Sequence, residues 1–517
     1  MLNEAVDRAT SPTPAQEADT SDAPRRGRWF ASGAVRRLAG TAWVGPAALM
    51  AVLGFWGIGR PELWQDELVT MEVATRNRHQ ILVMLQHVDA VHGAYYLFMH
   101  YWIKVFGDGP TALRAPSALA MVGAAVCVVL VGQRLFDRRT AVLGGLLFDV
   151  VPSMTRFAQE TRSYAMVIFA AALATLLLLR ALERSTVLRW CLYGLCVTAV
   201  ALLNAVALSI VAGHLAGLVV MRWPRPNWRV FAAFAAACVG GVLPALPIIS
   251  LGMDQADRQL QWITHAAPWQ IWPQVFASLG VSWAVLALAA VAWFKRGRPV
   301  LFATLLALLP MLVVWLASTG ALAYFFPKYL LFTLPAWAVL AGAGLAVVRP
   351  RFGALVALAV VAALAIPGQV AMRGTLSHSW YNYPDARPAD PLGYAEAARL
   401  ISANYRPGDG VIYKRSPWWW QMIDFGVAYY LPANVQPRDI FFAGPPSSAK
   451  DLMALECPSS ILCVGTEPRI WMVANGHTDQ VLSELSDDQR RALGGHYTQV
   501  SVTYEPGLTV ALLERTN

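Results

Sequence analysis

Residues 38–58, LAGTAWVGPAALMAVLGFWGI, form an uncharged apolar run, and Trp64-Gln65-Asp66-Glu67 follows it closely. A run of that length suits a helix that crosses a bilayer. The two adjacent acids then stand at the membrane surface, at the mouth of whatever bundle the run helps to build. A carboxylate pair there is costly to hold without a task, and it can bind a hydroxyl and take its proton. The alternative is a solvated acidic turn that opens a helix, since acids favour a first helical turn.

The rest of the chain reads the same way. Of its 517 residues, 56% are hydrophobic and 14% charged, against roughly 25% charged in a soluble domain. This is the composition of a polytopic α-helical membrane protein. Apolar runs lie at 38–58, 115–133, 140–154, 165–182, 187–203, 205–221, 230–251, 274–294, 299–317, 328–348 and 352–370, about eleven membrane helices at roughly 17 to 25 residues each, the third being short. Arg36 and Arg37 precede the first, and Arg138, Arg189, Arg225, Lys295 and Arg349 fall in every second loop thereafter. Basic loops face the cytoplasm. The N-terminus is therefore expected inside a multi-pass plasma-membrane protein, with the other loops and the C-terminal part outside. The net charge of +9 belongs to those loops and does not point to nucleic acid.

Three regions flank the spans. Residues 1–37 lack apolar periodicity and read as a disordered cytoplasmic tail, too long and polar for the n-region of a cleaved signal. The outer loop 59–114 carries Ile81, Leu82, Leu85, Tyr95, Leu97, Phe98 and Tyr101 at helical spacing and predicts amphipathic helices along the membrane surface. Residues 371–517 read as a small extracytoplasmic α/β domain. Helices are expected at 390–403 and 478–493, and strands at Gly410–Tyr413, Ser460–Val464 and Leu508–Leu513. Cys457 and Cys463 have a spacing that permits a disulfide without requiring one. Cys127, Cys191, Cys196 and Cys238 lie in apolar runs as packing residues.

Four polar groups at the outer ends of the spans carry possible chemistry. Asp66 and Glu67 come first. His92-Gly93-Ala94-Tyr95-Tyr96, with His87 and Asp89 before it, offers groups that stack on or bond to a sugar; an interfacial aromatic belt is the alternative. Arg156-Phe157-Ala158-Gln159-Glu160-Thr161-Arg162-Ser163-Tyr164 crowds two Arg into an outer loop, where they suit a phosphate. A Glu160–Arg ion pair pinning the loop is the other reading, and both can hold with one Arg in each role. Asp149, just inside the same membrane edge, suggests a partner or a site. Lys328-Tyr329 opens the tenth span, and a Lys there opposes both helix dipole and orientation rule, which suits phosphate binding; a snorkelling Lys is the alternative. The segment 254–273 reads either as a lid or as a loop packed on the soluble domain. No zinc spacing, P-loop signature or serine-hydrolase elbow is present.

In these four places the chain resembles the GT-C membrane glycosyltransferases, in particular family 39-like bacterial relatives of the protein O-mannosyltransferases and of the lipid A aminoarabinose transferase. The resemblance covers roughly residues 38–370. It implies an inverting glycosyltransferase of the cell envelope that moves a sugar from a polyprenyl-phosphate donor to an acceptor hydroxyl on protein, lipid or wall glycan. Asp66 would be the catalytic base. Arg162, Lys328, Tyr329 and Arg156 would hold the carrier phosphate. Glu67, His92, Tyr96, Asp149 and Glu160 would bind or orient sugar, acceptor or loop. Related chains often carry Arg at the Lys328 position and Pro where this one has Gly93-Ala94. The C-terminal domain would choose the acceptor, with Trp418-Trp419-Trp420 available to stack on glycan. No cofactor is expected; a divalent cation near Asp66 is open, though most of this branch manages without one. A lipid-glycan flippase or polymerase and a secondary transporter remain the other classes. A transporter predicts inverted repeats and broken Gly/Pro helices at mid-membrane, and a flippase polar residues along a transit path, whereas here the polar residues gather at the outer edge.

Overall fold

The computed structural model describes residues 41–376, 391–415 and 421–516. The N-terminal tail and Trp418–Trp420 lie outside the described residues. The described chain is mostly helical, with a small sheet near its C-terminus. Six helices are long and apolar enough to cross a bilayer: Pro110–Leu135, Tyr164–Glu183, Ala205–Arg222, Trp228–Asp254, Arg298–Ala317 and Arg351–Ala371. Val44–Phe55, Val187–Leu203 and Leu331–Val347 are shorter apolar helices. Two further stretches are bent pairs, Arg138–Val150 with Pro152–Ala158 at 65° and Pro268–Val275 with Leu279–Lys295 at 102°. The short third run expected at 140–154 is thus the first bent pair. Pro152 has no N–H to continue the preceding helix and opens the next one.

Small residues let the helices approach closely. A Cβ on Gly342 would stand 2.5 Å from the Gly144 nitrogen, so Arg138–Val150 and the helix Leu334–Val347 pack nearly backbone to backbone. Apolar side chains also face outward, among them Val239, Leu312 and Ile366, as lipid contact demands. The basic turns meet at one end of the bundle: Lys295 Nζ lies 3.3 Å from Asp137 Oδ2, and Arg139 donates to the Val348 carbonyl.

Near the C-terminus five strands run in the order β2-β1-β5-β7-β6, with β1 Gly410–Tyr413, β2 Arg438–Asp439, β5 Arg469–Asn475, β6 Tyr497–Glu505 and β7 Leu508–Arg515, while β3 Phe442–Gly444 and β4 Leu455–Glu456 pair separately. β1 is parallel to β2 and β5; β7 is antiparallel to β5 and β6. Strand β5 is buried on both faces along nearly its whole length, so its sequence lacks the period-2 signal and the strand went unpredicted. The strand expected at 460–464 is instead a 3-10 turn, Ser460–Leu462, with Ile461 and Leu462 exposed. Its loop is closed by a disulfide between Cys457 and Cys463. The helix expected at 478–493 is shortened to Asp487–Leu493, which Ser486 caps.

The outer loop departs from expectation in where it lies. It forms Gln65–Thr75, Arg78–Leu85 and Gly93–Phe106. Leu68, Val73, Ile81, Leu85 and Tyr95 are buried in a core shared with Tyr394, Ile401, Val427, Trp471 and Val510. The apolar stripe that predicted a membrane surface is covered by the sheet region instead, while Leu82, Phe98 and Tyr101 stay exposed. The junction is also polar. Leu63 donates to the Tyr430 hydroxyl at 2.9 Å and Ala395 to Glu62 Oε2 at 3.1 Å.

Burial, with the neighbouring Glu396 carboxyl, pushes the Glu62 carboxyl up to about 8. A carboxyl raised above its unfolded value stabilises the fold while protonated, and loses that contribution as pH rises through its folded value. The junction is therefore expected to loosen progressively as pH climbs from about 4.5 to about 8, and Glu62→Gln to remove that alkaline limb. Hydrogen exchange of residues 394–404 against pH checks this; an identical alkaline limb in the variant would refute it.

Candidate active site

The helix Gln65–Thr75 begins after Trp64, which is extended at φ −92°, ψ 170° and serves as N-cap. Asp66 and Glu67 occupy its first turn, where the helix dipole favours acids. Adjacent helical residues point to different faces, and these two acids have different partners.

Glu67 turns inward. Arg114 Nε and Nη2 donate to its two oxygens at 2.8 and 2.6 Å, and both side chains are fully buried. Arg114 also donates to the carbonyls of Ile58, Pro61 and Glu62. The Thr161 N–H donates to Glu67 Oε1 at 2.8 Å. Glu67 thereby ties the turn bearing Asp66 to the turn bearing Arg162.

Asp66 faces a partly open space, its side chain 19% exposed. Its Oδ2 lies 3.4 Å from Arg162 Nη2 and 3.4 Å from Lys328 Nζ. Burial alone would raise the Asp66 carboxyl, but the charges of Arg162, Lys328 and His92 outweigh it and hold the group below the usual carboxylate range. Arg162 Nη1 reaches the Tyr96 hydroxyl at 3.2 Å and Thr70 Oγ1 at 3.3 Å. Lys328 Nζ is ringed by Trp64, Tyr164, Trp262 and Phe326, at 5.7–5.9 Å from each ring centroid. Such a ring of π faces holds an ammonium without neutralising it. Tyr329 packs between Tyr164 and Phe326, with ring centroids 6.5 and 6.0 Å away.

Arg156 and Glu160 pair at 2.6 Å, both nearly fully buried, and the Arg156 guanidinium lies 5.7 Å from the Trp64 ring. Of the two Arg in that loop, one pins it and the other reaches Asp66. His92 and Tyr96 both bond to Asp89. Asp149 stays outside this network, its two oxygens buried and without hydrogen-bond partners. Trp64 Nε1, Glu160 Oε1 and Arg162 Nε are also buried without a hydrogen-bond partner. Among the described residues no group of three or more His, Cys, Asp or Glu side chains is placed to hold a metal ion.

The segment after Asp254 reaches both the site and the sheet region. Trp262 stands over Lys328, and Arg258 lies 3.2 Å from Asp451. Sequence reasoning missed Arg114 and gave no role to Trp64 or Asp89. Arg114 carried a usable signal: it lies near the start of an apolar helix, in a loop that the orientation rule expects to be poor in Arg, the rule that singled out Arg156 and Arg162.

Residues 94–250 match the family model described as dolichyl-phosphate-mannose-protein mannosyltransferase. That segment begins just after His92 and includes Arg162. No curated protein matches the sequence. Among solved structures, ArnT from Cupriavidus metallidurans bound to undecaprenyl phosphate shares the fold, with a TM-score of 0.61 at 14% identity over 92% of this chain and 98% of that one. The apo state of the same protein gives 0.57 at 15% identity with the same coverage. The architecture is thus the GT-C fold of membrane glycosyltransferases. The fold is shared with ArnT, and the segment 94–250 is similar to the protein mannosyltransferases.

Proposed function

We propose that this protein is an inverting glycosyltransferase that takes a sugar from a polyprenyl-phosphate donor and passes it to an acceptor hydroxyl at the outer face of the plasma membrane. The observation that carries the reading is Asp66 Oδ2 shared by Arg162 and Lys328, 3.4 Å from each, in a partly open cleft. A base and two phosphate-binding cations within one contact distance are what displacement of a phosphate by a hydroxyl needs. The ArnT structure bound to undecaprenyl phosphate supports a lipid-phosphate donor by likeness of fold.

In this reading the donor phosphate takes Arg162 and Lys328 from Asp66, with Tyr329 lining the same side. Losing the two cations raises the basicity of Asp66 when the donor is in place, which suits a base that must act only then. Asp66 accepts the proton of the acceptor hydroxyl, whose oxygen attacks the anomeric carbon from the side opposite the phosphate. The bond from that carbon to the phosphate oxygen breaks, and its electron pair leaves with polyprenyl phosphate. The negative charge that develops there meets cations already in position. Glu67, Arg156 and Glu160 hold the two turns in register. His92 and Tyr96 line the cleft toward the sugar. The sheet region packed on the loop presents the acceptor.

The test is transfer or release of radiolabelled sugar from a panel of polyprenyl-phosphate sugars by the purified full-length protein. Turnover of one donor supports the reading, and no turnover of any sinks it. With the active donor, Lys328→Met is expected to raise the donor KM about 10-fold or more, because a charge-assisted contact to phosphate is lost. It also removes a cation that holds Asp66 down, so the acid limb of the rate profile should move to higher pH. Lys328→Arg should keep most activity. Unchanged donor KM in Lys328→Met would remove Lys328 from the phosphate site.

A further inference from the structure

Asp89 is not used by the mechanism above, yet it is built into the cleft with care. It precedes the short 3-10 turn Ala90–His92 and is in the left-handed region, at φ 58°, ψ 33°, which Asp tolerates better than most residues. It is buried, 8% exposed, and its two oxygens have different partners. Oδ1 lies 2.6 Å from His92 Nδ1, and Oδ2 accepts from the Tyr96 hydroxyl. Tyr96 in turn accepts from Arg162 Nη1 at 3.2 Å. A continuous chain therefore runs Asp66, Arg162, Tyr96, Asp89, His92. The turn is also clamped from outside: Gln255 Oε1 accepts from the Ala90 N–H, and Gln255 Nε2 donates to the Leu85 carbonyl, both at 2.9 Å. Backbone held in a sparsely populated region by contacts from two elements is a pattern found where a side chain must be aimed.

We propose that Asp89 is a positioning residue of the transfer site: by engaging His92 Nδ1 and the Tyr96 hydroxyl together, it aims His92 Nε2 at the phosphate-linked sugar and fixes Arg162 beside Asp66. With Nδ1 engaged by Asp89, Nε2 is the one ring nitrogen left to meet a ligand, and the carboxylate fixes the ring's orientation. The inference rests on the transferase reading above and adds a residue and a route to it.

The experiment uses the full-length enzyme with its active donor and compares Asp89→Asn, His92→Gln and the double variant. Asn has a similar shape and tolerance for left-handed backbone, so the turn should survive and the thermal unfolding midpoint should stay that of the parent. Asp89→Asn is expected to raise the donor KM about 10- to 100-fold, the range of a lost charged hydrogen bond, with a smaller change in kcat. His92→Gln should cause an equal or smaller loss, and the double variant little more than Asp89→Asn alone, because the Asp89 change already frees His92. Additive losses, or an Asp89→Asn donor KM within twofold of the parent, overturn the inference while leaving the transferase reading intact. If Asp89→Asn fails to fold, a donor KM for His92→Gln equal to the parent's overturns it as well. No turnover of any donor by the parent overturns the reading and this inference together.

Discussion

Asp66→Asn is expected to lower kcat roughly 10²- to 10⁴-fold, the span that a positioned general base contributes, while polyprenyl phosphate binds as tightly as to the parent or more tightly. The second half follows from charge. In the free enzyme Asp66 competes with the donor phosphate for Arg162 and Lys328, each 3.4 Å from its Oδ2. Asn removes the competitor and the repulsion between carboxylate and phosphate. A residue that served only to shape the cleft would lose binding and turnover together. Quenching of tryptophan fluorescence reports the binding, since Trp64 and Trp262 both lie beside Lys328. Label release from the donor reports the turnover. A variant within threefold of the parent in kcat would show that the base is another group, with the Asp89–His92 pair the next to test.

Arg114→Met should be the most destabilising single change at the site. Its guanidinium fills five contacts at once, two to Glu67 and three to backbone carbonyls. Removing it leaves a fully buried carboxylate without its counter-ion and three carbonyls short of a donor. Breaking a buried pair from one side costs about 3–5 kcal/mol, enough to unseat the loop from the bundle. Glu67→Gln should be milder, because an amide oxygen still accepts from Thr161 N. The double variant should recover part of the Arg114→Met loss, as a pair removed together leaves no bare charge. Thermal unfolding of the detergent-purified variants measures all three. An Arg114→Met midpoint equal to the parent's would mean that the pair is not what ties the two turns together. Activity should fall with stability in this series, because Glu67 joins the Asp66 turn to the Arg162 turn.

Reading along the chain determined the class of fold and singled out the polar segments that the fold brings together. Apolar runs, basic loops and charges on the wrong side of the orientation rule are local signals, written into residue type and spacing alone. They singled out Asp66, Arg162 and Lys328 in three distant segments; in the fold Arg162 and Lys328 each lie 3.4 Å from Asp66. Residue type and spacing did not separate Arg156 from Arg162, and only the family resemblance set Asp66 apart from Glu67. Each pair has one chemistry and one neighbourhood in sequence, and the members differ only in which side of a turn they face. Tertiary structure decided their partners: Arg156 on Glu160 and Arg162 on Asp66, Glu67 inward on Arg114 and Asp66 toward Arg162 and Lys328. The same holds for the outer loop, whose apolar stripe demands a cover without saying whether lipid or protein provides it. Packing supplied the sheet region. The strand β5 stayed hidden because burial on both faces erases the alternation that marks a strand. Periodicity and charge specify what must be buried and which ends are polar. Which partner each buried group meets depends on contacts hundreds of residues apart, such as Lys328 on Asp66, and only the folded chain brings those together.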